Sequence, residues 1–415
     1  MKTFQFFSAS AGKIKDTVPP EKPISLVTDQ IAEDQNVIEE RETRLLYELR
    51  KHAESLDAII INSSEIHEVI QGLGSISKID LDWNSSPCYP SPYIAVFKRI
   101  TVIPGAKLLL NEEGTALSDE ICLGFRQFGL RPKLWDMDVL SGPSLRFKLP
   151  PLSRKISSGI HITGEHEANY FHWIVEVLPR LYLCEKFLPD KRIPILISEG
   201  LNDNLYVLLD IIRAPERSVL KLQQDHTYFV EQLIYPSDLS RILDVYDRPP
   251  GMDTTYLPVN LLKEMAATIK RAFNPTTDHP KRLFIRRTST YRRLLNEAEI
   301  ETILTKVGFF PIDPGRMTIE EQVCIFAQAE FIIGPSGASM ANMLWCGPKV
   351  NIIILHSDHP FKKYPYWDAL ARVSGSQVYY LAGPRAHNVS GTFEAHDDYS
   401  INPGTLVSLL KGFNL

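Results

Sequence analysis

The run Asn169-Tyr-Phe-His-Trp-Ile-Val-Glu-Val-Leu-Pro-Arg180 holds four polar residues in an otherwise mostly apolar stretch. Asn169, His172, Glu176 and Arg180 follow at spacings of three, four and four, which on a helix puts them on one face. Phe171, Trp173, Ile174, Val175, Val177, Leu178 and Leu181 fill the other sides, and a helix apolar that far round is buried. Buried His, Glu and Arg are costly unless they pair or face a cleft. The stripe is therefore either a satisfied internal network or a site whose titratable groups do chemistry.

A second stretch, Phe331-Ile-Ile-Gly-Pro-Ser-Gly-Ala-Ser-Met-Ala-Asn342, reads as strand, glycine turn and helix start. Gly334 and Gly337 permit tight turning and close backbone approach. The amides of Gly337, Ala338 and Ser339, beside Ser336, would point out of the helix start, an arrangement that suits phosphate. A third stretch, Phe284-Ile-Arg-Arg-Thr-Ser-Thr-Tyr-Arg-Arg, ends a strand on Arg286 and Arg287, with Arg292 and Arg293 just beyond. Guanidinium forks match phosphate oxygens. An arginine facing a helix start is a diphosphate clamp, able to neutralise a leaving nucleotide diphosphate without a metal.

Other site types have weaker support. Asp80-Leu-Asp82 and Asp136-Met-Asp138 have the spacing of a metal-binding pair but stand where a metal-dependent transferase would not carry it, so no metal is expected. There is no G-x-G-x-x-G and no Walker A run. Gly334-Pro-Ser336-Gly-Ala338 approaches a nucleophile elbow, followed in order by Asp358, Asp368, His387 and His396. That serine-hydrolase reading lacks a preceding oxyanion segment and leaves the arginines and His172 without a task.

These residues need strands and helices to position them. Residues 1 to about 30 are polar and proline-bearing, and Asp34 to Glu54 read as a charged, exposed helix. Short β-like runs fill Tyr93 to about Pro150. Strand, striped helix, strand (Ile193-Pro-Ile-Leu-Ile) and a helix from about Asp203 then imply a mainly parallel sheet. Arg248-Pro-Pro-Gly marks a linker and Asn274-Pro a break. Beyond them, strands at Arg282, Gly308, Phe331, Val350 and Gln377 alternate with helices over Glu297 to Val307, Thr318 to Ala329, from Ala338, and Tyr366 to Val373. This is a five-strand doubly wound pattern. Thr318 and Glu321 have capping-box spacing. A last helix starts near Pro403.

At 415 residues, two domains of ordinary size are expected. A net charge of −5 argues against a nucleic-acid partner along the whole surface. The five cysteines are scattered and form no C-x-x-C pair, so neither a disulfide framework nor a zinc cluster is indicated. The first residues make a poor signal peptide and no apolar run is long enough to span a bilayer. A cytoplasmic location is the simplest expectation. Peripheral attachment at the inner face of a membrane and homo-oligomerisation stay open.

Taken together, Asn169-Tyr-Phe-His172-Trp with Glu176 and Leu178-Pro-Arg180, then Ile285-Arg-Arg287, Glu320-Glu-Gln322 and Gly334-Pro-Ser336-Gly-Ala-Ser-Met-Ala-Asn342 resemble the motifs of glycosyltransferase family 61. The group was once labelled capsular polysaccharide biosynthesis proteins. The resemblance covers about residues 150 to 400. It departs at Ser336, where the family usually has histidine, and at Ser339, where it usually has glycine. It implies an α/β, GT-B-like fold of two Rossmann-like domains with a cleft between them: an extension over 1–85, an acceptor domain over 86–250 and a nucleotide-sugar-binding domain over 251–415. It implies inverting transfer, without a cofactor, from a nucleotide sugar to a hydroxyl of a saccharide acceptor in capsular or cell-surface polysaccharide synthesis. Inversion needs one base, His172 with Glu176 as its partner or the reverse. Arg286, Arg287 and the Gly337 to Ser339 amides would stabilise the diphosphate. Glu321 would bind ribose or cap its helix, and Asn169, Arg180 and Asn342 would support the site. A nucleotide-sugar epimerase or hydrolase and a catalytically silent nucleotide-binding module are the alternatives.

Overall fold

The computed structural model describes residues 2–5, 94–107, 109–110, 116–117, 138–139, 144–147, 151–164, 166–242, 255–275, 278–359, 365–386 and 397–415. The charged helix expected over 34–54, the 1–85 extension apart from residues 2–5, the Asp80 pair, Asp136, the Arg248 linker, Cys88, Cys122, His387 and His396 lie outside these residues. The chain falls into two compact units, one of 1–168 and 175–244, the other of 169–174 and 245–415.

The first unit is built on a seven-stranded sheet. Its strands are β1 (Ile94–Val102), β2 (Leu109–Leu110), β3 (Ala116–Leu117), β4 (Leu152–His161), β5 (Ile195–Ser198), β6 (Val219–Leu222) and β7 (Thr227–Pro236), in the order β3-β2-β1-β7-β4-β5-β6. The block β7-β4-β5-β6 is parallel, as the alternation with helices predicts, whereas β1, β2 and β3 pair antiparallel. The difference from a mainly parallel sheet has a simple cause. Short connections such as the one between Val102 and Leu109 can join only antiparallel neighbours, while parallel ones need a crossover. Phe97, Ile100, Leu196, Val230 and Leu233 form the core on this sheet.

Helix α1 carries the polar stripe. It starts as Tyr170–His172, passes through a π-helical turn at Trp173–Val177 and continues as Leu178–Phe187. Asn169 caps it by accepting a 2.9 Å hydrogen bond from the Phe171 amide. The π turn follows from Pro179, which has no N–H to offer the carbonyl four residues back. That carbonyl, on Val175, is taken instead by the Ser240 hydroxyl. Helix α2 (Asp203–Ile212) follows β5.

The second unit holds an all-parallel sheet of β8 (Arg282–Ile285), β9 (Phe310–Ile312), β10 (Phe331–Pro335), β11 (Asn351–Ser357) and β12 (Gln377–Gly383), ordered β9-β8-β10-β11-β12. This is the doubly wound arrangement expected from the alternation. Its helices are α3 (Val259–Phe273), α4 (Glu297–Lys306), α5 (Ile319–Ala327), α6 (Pro365–Ser374) and α7 (Pro403–Gly412). α3 turns Val259, Leu262, Met265 and Ile269 inward and stops at Asn274, which takes the left-handed conformation. α5 opens with the Thr318–Glu321 capping box. The helix expected from Ala338 is a 3₁₀ helix, Ala338–Trp345, long for its kind and ended at Cys346-Gly-Pro348. β10 is buried along its whole length, as a central parallel strand should be.

Candidate functional site

In the second unit, strand order turns at β8 and β10, neighbours from which the chain leaves in opposite directions. Ligands of open α/β sheets bind at the carboxyl edge of such a point. Gly334 lets the two strands close up: a Cβ there would lie 2.7 Å from Ile285 Cβ. Past the strand ends, Arg287 Nη1 donates a 2.7 Å hydrogen bond to the Ser336 carbonyl and lies flat against Gly337. A Cβ on Gly337 would stand 1.7 Å from that nitrogen, so only glycine accommodates the guanidinium. Gly337 precedes the 3₁₀ helix, whose first amides, at Ala338 and Ser339, have no partner within a helix. Arg287, Gly337, Ala338 and Ser339 thus meet in one place.

The four-arginine cluster does not act as a block. Arg286 turns to α4 and forms a two-pronged ion pair with Glu301, one bond being 2.7 Å. Arg293 is forked onto Asp398 at 2.7 and 2.9 Å. Arg287 and Arg292 flank the exposed Tyr291 ring, with guanidinium carbons 5.4 and 5.1 Å from its centroid. The Arg287 amide donates to Glu297 at 3.2 Å, and burial raises the affinity of that carboxyl for its proton.

Ser336 is buried, and its hydroxyl accepts a long 3.4 Å hydrogen bond from Trp367 Nε1. Glu321 spends its carboxylate on the cap, accepting from the Thr318 amide at 2.8 Å. Asn342 Oδ1 accepts from the Tyr170 hydroxyl at 2.7 Å and from Trp345 Nε1 at 2.9 Å, while its amide donates to Gln322 at 2.9 Å. Three of the motifs therefore converge in one hydrogen-bonded knot, which fixes the first turn of α1 in the second unit. Phe171 packs on Tyr366 and Trp367 beside it.

Glu176 and Arg180 belong to the first unit, whereas His172 lies with Asn169 in the second. His172 and Glu176 are half-buried while Trp173, Ile174, Val175, Val177, Leu178 and Leu181 are fully enclosed, so the two titratable residues occupy the open side of the helix. Arg180 is 1% exposed, and carbonyls satisfy it. It donates to Pro236 at 3.1 and 3.0 Å and to His161 at 3.1 Å, beneath the Tyr235 ring. It ties α1 to the carboxyl ends of β4 and β7.

That edge holds residues the sequence reading did not single out. Lys107, Gly164, His166, Glu167, Glu176, Val177 and Arg180 line a small recess there. Lys107 is paired with Asp238 at 3.0 Å. Glu167 is 3% exposed, and burial pushes its carboxyl up to about 7 against the pull of Ser198, Gly164 and Arg180. His161, enclosed at the end of β4 and close to Arg180, is held neutral, its pKa pushed down to about 3 mainly by burial. The signal for Glu167 was present as Gly-Glu-His-Glu in a strand-to-helix loop, but such loops are commonly polar for solvation alone.

Among the described residues, no group of three or more His, Cys, Asp or Glu is placed to hold a metal ion, and no helix is long and apolar enough to cross a membrane. Cys184 and Cys346 are buried free thiols, and burial pushes both up to about 12. No curated protein matches the chain. Residues 170–353 match the family model Glycosyltransferase 61, a stretch reaching from the first turn of α1 through Arg287, Gln322 and Gly337 into β11, and this supports a glycosyltransferase of that family.

Proposed function

We propose that the protein is an inverting, metal-independent glycosyltransferase moving a sugar from a nucleotide-diphosphate sugar to a saccharide hydroxyl. We assign it to the synthesis of capsular or cell-surface polysaccharide on the cytoplasmic side of a membrane. In this reading each unit plays the part of one GT-B domain, the second taking the donor and the first the acceptor. The observation that carries it is the apposition of Arg287 to Gly337 at the carboxyl edge of β8 and β10. A guanidinium and free helix-start amides offer an anion the positive charge and donors that a metal would otherwise supply. Ser336 and Ser339 flank Gly337 on that turn, and Arg286, held by Glu301, stands one residue from Arg287.

On α1, His172 takes the acceptor proton and Glu176, one turn on, orients it; the opposite order uses the same two side chains. As the hydroxyl oxygen attacks the anomeric carbon, its proton passes to the base. The bond from that carbon to the diphosphate breaks, and its electron pair leaves with the diphosphate, which Arg287 and the amides stabilise. Asn169, Arg180 and Asn342 hold the helix that carries the base.

A thermal-shift screen against nucleotides and nucleotide sugars, run with and without EDTA, tests the donor half. Stabilisation by a UDP, GDP or CMP compound that persists in EDTA and disappears in Arg287→Ala is expected. Absence of any shift across the panel would overturn the reading.

A further inference from the structure

The recess in the first unit lies where the parallel strands β4, β5 and β7 end, the edge at which α/β sheets hold ligands. Its wall contains a buried carboxylate whose two oxygens, Glu167 Oε1 and Oε2, close no hydrogen bond of ordinary geometry. The Ser198 hydroxyl, at the end of β5, is enclosed and stands behind that carboxylate, outside the lining of the recess. The nearest donors to Glu167 are that hydroxyl and the Ser198 and Gly164 amides. Buried polar atoms are nearly always satisfied, so an enclosed carboxylate in the wall of a recess calls for an occupant. The space has room for about one water-sized oxygen. Lys107, His166, Glu176 and Arg180 complete the wall, mixing donors with acceptors. Lys107 is paired with Asp238, and the Arg180 charge faces the carboxylates of Asp238, Glu167 and Glu176, which leaves no excess positive charge to select an anion. A neutral hydroxyl, which both donates and accepts, fits this lining.

We propose that the recess seats one hydroxyl group of the acceptor saccharide, received by Glu167 as hydrogen-bond acceptor and flanked by Glu176. Glu167 is then a specificity-determining residue that selects a sugar bearing a hydroxyl at that position. The inference rests on the transferase reading. It adds to that reading which unit grips the acceptor and by which side chain, and it leaves the reacting proton to the stripe on α1. A hydroxyl seated here lies beside Glu176, one turn along the helix from His172.

The test uses the full chain with glutamate labelled at the carboxyl carbon. The Glu167 resonance is identified by its loss in Glu167→Gln. Methyl glucoside, galactoside, xyloside and N-acetylglucosaminide are the probes. At least one should move the Glu167 resonance and bind about tenfold more weakly to Glu167→Gln, with nucleotide stabilisation unaltered. The deoxy analogue lacking the seated hydroxyl should show the same loss against the wild type and none against the variant. If nucleotides stabilise the protein but no glycoside disturbs Glu167, the recess holds a structural water only and the subsite is wrong. If neither nucleotide nor glycoside binds, the transferase reading falls and the subsite with it.

Discussion

The carboxyl edges of the two sheets are built to opposite rules. In the second unit the edge is made of backbone and arginine: a glycine whose missing Cβ makes room for the Arg287 guanidinium, the first amides of a helix, and ion pairs that draw Arg286 and Arg293 aside. In the first unit it is made of carboxylates and imidazole, half-open at Glu176 and enclosed at Glu167 and His161, while His172 stands on the turn of α1 that belongs to the second unit. Fixed positive charge holds an anion over a wide pH range. Glu167, which burial raises to about 7, changes state near neutrality, as suits hydroxyl recognition, whereas burial keeps His161 neutral there. In the proposed reading charge stabilisation rests on Arg287 and the helix-start amides and proton chemistry on the stripe of α1, and each can be damaged without the other.

The sharpest test of that separation is to remove the base. His172→Ala and Glu176→Ala are expected to lower kcat by about a hundredfold or more, the usual cost of losing a general base, with nucleotide affinity unchanged. Single-turnover transfer measured beside nucleotide titration checks both halves. Wild-type turnover in both variants would remove proton chemistry from α1, and lost nucleotide affinity would break the separation.

The enclosed carboxyl makes the first unit sensitive to pH in a defined direction. Glu167 is raised from 4.5 to about 7, so between those values the folded protein holds a proton that the unfolded chain has released. Its contribution to stability is complete below about pH 4.5 and is lost as pH rises to about 7, a total on the order of 3 kcal/mol. His161 works the other way. Lowered from 6.5 to about 3, it contributes stability above about pH 6.5 that is lost as pH falls to about 3. The two slopes cancel between about pH 4.5 and 6.5. Glu167→Gln removes one of them. Urea unfolding should show the variant gaining on the wild type by about 3 kcal/mol between pH 4.5 and 8, whatever the constant offset of the added amide. A difference that stays flat with pH would mean that Glu167 is ionised throughout.

Much of this was legible in the sequence where local patterns decide structure. The five-strand alternation beyond Arg282, the Thr318–Glu321 cap and the helix carrying the stripe all follow from periodicity and turn chemistry. Four features needed tertiary information. The π turn comes from Pro179, visible in the sequence, together with Ser240, whose readiness to take the orphaned Val175 carbonyl is not. The fate of the four arginines depends on where Glu301 and Asp398 fall in space, which no local spacing encodes. Asn342 likewise looks like part of a glycine-rich ligand loop, yet its side chain is spent on Tyr170, Trp345 and Gln322. Glu167 was missed because burial alone separates it from the other glutamates of the chain.

Arg286 and Arg287 give a smaller, more discriminating test on the anion side. Arg287→Ala removes the guanidinium over Gly337 and should weaken nucleotide diphosphate binding about thirtyfold, the scale of one hydrogen bond to a charged group. Arg286→Ala releases an exposed pair with Glu301 and should change affinity by no more than about threefold, since surface pairs contribute little. Calorimetric titration of both variants decides this. Equal losses would mean that Arg286 leaves Glu301 to join the anion. Glu301→Ala should then strengthen binding.

The smallest effect expected is at the knot that holds the first turn of α1. Tyr170→Phe deletes a hydroxyl that donates to Asn342 and accepts from Trp345. Both partners stay satisfied, because Trp345 Nε1 also reaches Asn342 Oδ1 at 2.9 Å. The cost should therefore be about 1 kcal/mol, the net value of one neutral hydrogen bond, rather than the larger penalty of a stranded buried group. Asn342→Ala strips the same knot of its centre and should cost more, about 2 to 3 kcal/mol, by leaving the Tyr170, Trp345 and Gln322 groups without it. Denaturant unfolding separates the two variants. If the knot is only an anchor, the nucleotide affinity of Tyr170→Phe stays at the wild-type value and the midpoint of Glu167 does not move. A change in either would show that the first turn of α1 couples the anion edge to the titratable one, and that the two sheets do not work independently.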